Sequence, residues 1–124
     1  VSTATDLSAA LISTGFPYRS VDHLDEYLGV LGDLMFRCQG VRRHGSASID
    51  LAYLAAGRFD GFFETGLMPW DVAAGTLLIR ESGGRVSRFS GDGDPVFSRQ
   101  ILASNGLLHD TLVPIVEPLV DTLA

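Results

Sequence analysis

One cysteine, Cys38, stands in a chain of 124 residues, and that excludes an internal disulfide framework and any cluster of thiolate metal ligands. A packed or capping thiol is the expected role for Cys38, and a reducing cytoplasm the expected compartment. Basic residues are few, nine against fifteen acidic ones for a formal charge of -6, and they are scattered. No electrostatic footprint for a nucleic-acid backbone results, so no nucleic-acid partner is expected. No apolar run reaches the roughly 18 to 20 residues that span a bilayer, and no basic start followed by an apolar stretch marks a secretory signal; a membrane partner is not expected either. Several motifs are also missing: no Walker phosphate loop, no Gly-x-Ser-x-Gly nucleophile elbow, no His-Glu-x-x-His, and no Gly-x-Gly-x-x-Gly after a strand, which leaves a nicotinamide-binding domain a weak option. The chain opens at Val1 without a methionine, and an apolar segment begins within a few residues of it. A portion upstream is expected.

With 46% hydrophobic and 19% charged residues, the chain is long enough to bury one core, and a single domain is expected. Ala9 to Ser13 reads as a short buried strand stopped by Gly15 and Pro17. Leu24, Leu28, Leu31 and Met35 recur at helical spacing, with Ser20 or Asp22 as N-cap and Gly40 as the stop. Val41 to His44 reads as a brief strand, and Ile49 to Ala56 as a compact buried helix with Gly57 beyond its end. Phe59 to Glu64 alternates as a strand, and a helix follows from about Trp70 to Ser82, closed by Gly83-Gly84. Arg85 to Phe89 and Gln100 to Ser104 are strands separated by the loop Ser90 to Pro95. A final amphipathic helix carries Leu108, Leu112, Ile115, Val116, Leu119 and Leu123, bent or interrupted at Pro114 and Pro118. This alternation predicts an α/β layered domain around a central, mainly parallel or mixed sheet of about five strands flanked by helices.

Candidate chemistry gathers at two strand-to-helix junctions. Asp71 is the only charged residue in Gly66 to Gly75; it is either an oxygen ligand for magnesium or a carboxylate that complements the first turn of a helix, and spacing alone favours the second. Gly45-Ser46-Ala47-Ser48 offers amides and hydroxyls at a helix start, suited to an anionic or polyhydroxyl ligand, or simply to an N-cap. Glu64 ends a strand seven residues before Asp71, so both carboxylates could face one rim of the sheet. Arg42 and Arg43 could neutralise a phosphate or stay hydrated. Asp92 and Asp94 fit a solvated turn better than a calcium loop, and His23, His44 and His109 lack metal-ligand spacing.

Three separated segments, taken in order, resemble the C-terminal half of inositol monophosphatases: Gly45 to Ala52 (GSASIDLA), Ala55 to Glu64 (AAGRFDGFFE) and Pro69 to Gly75 (PWDVAAG), continued by Leu77 to Gly84 (LLIRESGG). The likeness runs from about Leu11 to Leu112. It implies the C-terminal half of an αβαβα sandwich, in which Asp71 ligates a catalytic Mg2+ and also touches the substrate, while Gly45, Ser46, Ala47 and Glu64 line the sugar or inositol ring. The implied reaction is phosphomonoester hydrolysis of an inositol or other sugar phosphate, and the family also implies a homodimer. The family's first signature, an Asp-Pro-Ile-Asp-Gly-Thr segment with an upstream glutamate, occurs nowhere in the chain. Most metal ligands would therefore come from the missing N-terminal half, and the chain alone is expected to be inactive. A fructose-1,6-bisphosphatase or nucleotide phosphatase of the same superfamily is the nearest alternative, and a protein-interaction module the alternative of a different class.

Overall fold

The computed structural model describes residues 1–18 and 23–121. A turn of 3-10 helix at Leu7–Ala9 precedes strand β1, Leu11–Thr14; then follow α1 (Leu24–Arg37), β2 (Gly40–Arg42), α2 (Ala47–Ala55), β3 (Gly61–Thr65), α3 (Pro69–Glu81), β4 (Arg85–Ser87), β5 (Gln100–Ser104), α4 (His109–Val116) and a second 3-10 turn, Glu117–Leu119. The five strands form one mixed sheet in the order β2-β1-β3-β5-β4. β1 runs parallel to β2 and to β3, and β5 is antiparallel to β3 and β4. The fold is the layered α/β domain that the alternation of elements predicts.

Helices cover both faces, so consecutive residues in the middle of β3 (Phe62, Phe63) and of β5 (Ile101 to Ala103) are apolar rather than alternating with polar ones. On one face Phe63 and Leu102 pack with Tyr27, Val30 and Leu34 of α1 and Leu112 and Ile115 of α4. On the other, Phe62, Ile101 and Ala103 pack with Leu51 and Leu54 of α2 and Val72 and Ile79 of α3. Adjacent residues of one strand thus serve opposite cores, as a period of two requires.

Several boundaries move from those read off the sequence. β1 starts at Leu11 because the Asp6 carboxylate accepts from Ser8 N at 3.1 Å and winds Leu7–Ala9 into a turn. α1 survives Gly29 and Gly32, both on its exposed side, because Tyr27, Val30 and Leu34 anchor the other side, and it ends at Arg37, before Gly40. The N-cap candidates Ser20 and Asp22 lie outside the described residues, as does Leu123. Cys38 is the expected capping thiol: its amide donates to Leu34 O, and its Sγ donates to Gly40 O at 3.3 Å. α4 is short; Pro114 lies inside it and the chain tightens to a 3-10 turn at Glu117–Leu119, where Pro118 sits.

The α2–α3 layer is apolar on its outer side too. Trp70, Leu77 and Leu78 recur at i, i+7 and i+8 on α3, with Trp70 77% exposed, and Ile49 and Tyr53 recur at i and i+4 on α2. A surface helix normally turns polar residues to solvent on that side.

Candidate active site

The C-terminal ends of the parallel strands β1 and β3 point at the N-termini of α2 and α3, the arrangement in which α/β sheets collect ligands. A cavity of about 390 Å3 opens there. Its wall contains Gly15, Arg43, Glu64, Asp71 and the segment from Gly45 to Ser48. The structure therefore brings together Gly45, Ser46, Ala47, Glu64 and Asp71, which lie 26 residues apart in sequence from first to last.

Asp71 is the third residue of α3. Pro69 opens the helix, where its lack of an amide costs nothing. The Asp71 Oδ2 accepts from Met68 N at 2.9 Å, so the side chain caps the helix as well as lining the cavity. The structure thus shows the first-turn role directly, and the capping bond fixes the carboxylate at the rim of the cavity. Ser46 occupies the N-cap position of α2, and Gly45 turns the chain into it with φ +82°, a conformation that favours glycine. Its hydroxyl pairs with that of Ser48 at 3.4 Å and makes no side-chain cap, so the hydroxyls of this segment lie by the cavity instead of closing the helix end.

Glu64 is enclosed rather than exposed at a strand end. Burial, with the nearby carboxylates of Asp50 and Asp71, pushes its carboxyl up to about 7, against the pull of Arg43. The Arg43 guanidinium lies 5.0 Å from the Phe16 ring centre and 5.5 Å from that of Tyr18, and it donates to Tyr18 Oη at 3.4 Å. Stacking holds this cation in the cavity wall. Arg42 lies on the neighbouring groove between α1 and β2.

Asp50 is a residue of the site region to which sequence reasoning gave no role. It is 1% exposed; its Oδ1 accepts from Ser13 Oγ at 2.7 Å and lies 3.5 Å from His44 Nδ1. Its Oδ2 has no hydrogen-bond partner among the described residues. Burial pushes this carboxyl up, and the Ser13 bond, His44 and Arg43 oppose the shift. In sequence it is one more acid in a first helical turn, and only its contact with β1 distinguishes it. Gly15 was read only as a strand stop, and the structure places it in the cavity wall.

The remaining candidates lie elsewhere. His109 is fully buried between Ser87 Oγ (2.7 Å from Nε2) and Ser104 Oγ (2.8 Å from Nδ1). His23 holds the N-cap position of α1. Asp92 and Asp94 close turns, accepting from Ser90 Oγ at 2.6 Å and Val96 N at 2.9 Å.

Among the described residues, no group of three or more His, Cys, Asp or Glu side chains gathers closely enough to hold a cation. What the chain offers is the Asp71 carboxylate at the cavity rim with Glu64 beside it. Magnesium takes one or two carboxylates and completes its shell with water and substrate oxygen, so these two carboxylates alone are not a full site for it.

Comparison with known proteins bears on the same segments. The model of the inositol monophosphatase family matches residues 1–121. The Nus factor SuhB of Escherichia coli is 50% identical over 104 residues, which cover 84% of this chain and 39% of that protein. The Nus factor SuhB of Pseudomonas aeruginosa is 45% identical over 120 residues, 95% of this chain and 44% of that protein. Among solved structures, the inositol monophosphatase from Anabaena superposes with a TM-score of 0.88 at 41% identity, covering 94% of this chain and 46% of that one. The chain spans less than half the length of these relatives. With its family model matched almost end to end, the chain belongs to the inositol monophosphatase family.

Proposed function

We propose that residues 1–124 are the C-terminal α/β domain of a magnesium-dependent phosphomonoesterase acting on inositol monophosphate or a related sugar phosphate, inactive until the family's N-terminal metal-binding half completes the site. The observation that carries this reading is the convergence of Gly45–Ala47, Glu64 and Asp71 on one cavity. Asp71, held by the Met68 amide, would supply one ligand to Mg2+, and the N-terminal half the others. When bound, the metal would lower the pKa of a water for in-line attack at phosphorus and neutralise charge on the leaving oxygen. The residues of this chain would orient the alcohol portion. Amides and hydroxyls of the 45–48 segment donate to its oxygens, and the Glu64 carboxylate accepts from a ring hydroxyl. Arg43 would hold anionic charge in the cavity without itself transferring a proton. A cytoplasmic homodimer goes with this reading.

The outer apolar side of α2 and α3 supports a second sheet packing there, as the family's sandwich requires. Fructose bisphosphate and nucleotide substrates are the alternatives within the superfamily. The curated relatives quoted above are named as Nus factors rather than as hydrolases, and that favours the protein-interaction module as the second reading. The test is phosphate release from myo-inositol 1-phosphate with magnesium, by this chain combined with the N-terminal half of the family. Release that requires both halves and magnesium supports the phosphatase. No release from any sugar phosphate by the combined halves leaves the interaction module.

A further inference from the structure

Gly15 has no backbone reason to be glycine, since its φ is not among the positive values in the chain. Its hydrogen atoms face Glu64 instead. A Cβ built there would stand 2.1 Å from Glu64 Oε1 and 2.2 Å from Glu64 Cδ, far inside contact distance. The register accounts for the encounter: Ser13 pairs with Phe62 and Thr14 with Phe63, so the next step of the parallel ladder sets Gly15 beside Glu64. Gly15 is buried and lines the same cavity. The carboxylate thus lies flat on bare backbone, in a place that any side chain at position 15 would fill.

We propose that Gly15 is a specificity-determining residue, the seat that holds the Glu64 carboxylate in position to accept a hydrogen bond from a substrate ring hydroxyl. The proposal rests on the reading of Glu64 as the ring-binding group. It assigns to residue 15 a role in recognition that the turn does not require. An alanine at this position would meet first the far end of a flexible side chain, so the carboxylate would move aside and the strand could stay in place. Asp50 of α2 and Asp71 of α3 repel a displaced carboxylate from their sides, and Arg43 attracts it. Its new position would therefore differ from the seat.

The test is a double-mutant cycle on Gly15→Ala and Glu64→Ala, in the chain combined with the family's N-terminal half. Two substrates are compared: myo-inositol 1-phosphate, which carries ring hydroxyls, and phenyl phosphate, which carries none. Each single variant is expected to raise KM for the inositol ester about tenfold, the scale of one charge-assisted hydrogen bond, with kcat within about twofold. The double variant should match Glu64→Ala alone, and the loss should be larger on the inositol ester than on phenyl phosphate. An unaltered KM for the inositol ester in Gly15→Ala, effects that multiply in the double variant, or equal losses on both substrates would each overturn the assignment. The 13C signal of the Glu64 carboxyl, followed against pH in the chain itself, judges the seat without activity. Gly15→Ala should shift its midpoint from that of the wild type, whereas an unchanged midpoint overturns the proposal even if neither ester is hydrolysed. Absence of hydrolysis by the wild-type halves, with the carboxyl midpoint moved, would instead refute the phosphatase reading and leave the seat standing.

Discussion

Replacing His109 by asparagine should flatten the acid limb of the chain's stability profile, and the size of the effect can be worked from its surroundings. Ser87 Oγ donates to Arg88 O at 2.7 Å, so its contact with His109 Nε2 requires a proton on that nitrogen. Nδ1 must then accept from Ser104 Oγ. A second proton on the ring would set two donors against each other in a fully buried site. Burial first, and then Arg85, lower the imidazole to about 4 from its ordinary 6.5. A base with a depressed folded pKa contributes stability that is present above 6.5 and lost as the pH falls toward 4. At pH 5 the unfolded ring is charged and the folded ring neutral, and the 1.5 units from 6.5 to 5 correspond to about 2 kcal/mol. Urea denaturation of wild type and His109→Asn at pH 7 and pH 5 measures this. The variant should be less stable at pH 7, and its deficit should shrink by about 2 kcal/mol at pH 5. A deficit equal at both pH values would show that the fold does not hold the His109 ring neutral, and would refute the reasoning.

Other consequences follow from the same contacts. Glu64, with its carboxyl raised to about 7, favours the folded state below its unfolded value of 4.5 and loses that contribution as pH rises through 7. Glu64→Gln should therefore gain about 1 to 2 kcal/mol over wild type at pH 8, after discount for partial exposure, and nothing at pH 4; denaturation at the two pH values checks both. Asn105 accepts from the amides of Leu107 and Leu108 and donates to Ala4 O, tying the start of α4 to the N-terminal segment. Asn105→Ala should cost about 2 to 4 kcal/mol in denaturant, because it strands buried backbone groups. The chain alone should self-associate through the outer side of α2 and α3, and Trp70→Lys with Leu78→Lys should return it to monomer in sedimentation velocity.

Element type was legible wherever period and punctuation agreed. α3, opened by Pro69 and closed before Gly83, and β5, Gln100–Ser104, fall within a residue of their readings because local chemistry and tertiary packing ask for the same thing. β1 and β2 shifted because their limits depend on an Asp6 turn and on pairing at a sheet edge, which no local pattern encodes. Of the site, the shared position was legible: Gly45, Ser46, Ala47, Glu64 and Asp71, singled out by their letters, line one cavity. The enclosure of Glu64 was not legible, since it comes from Gly15 just past the end of β1 and from Asp50 and Asp71 on two helices. Asp50 stayed hidden for the same reason. An acid in a first helical turn is an ordinary sight, and only Ser13, 37 residues away, marks it as buried.

The central claim is that Asp71 is a metal ligand in a site completed by the N-terminal half, and magnesium-dependent phosphate release from myo-inositol 1-phosphate by the combined halves, with and without Asp71→Asn, tests it most directly. Asparagine keeps an oxygen to accept from Met68 N, so the helix cap survives while the ligand's charge is removed. Loss of at least a hundredfold in kcat/KM, partly recovered by raised magnesium, is predicted, on the scale of about 3 kcal/mol for a removed ligand charge. Activity within about threefold of wild type would contradict the account.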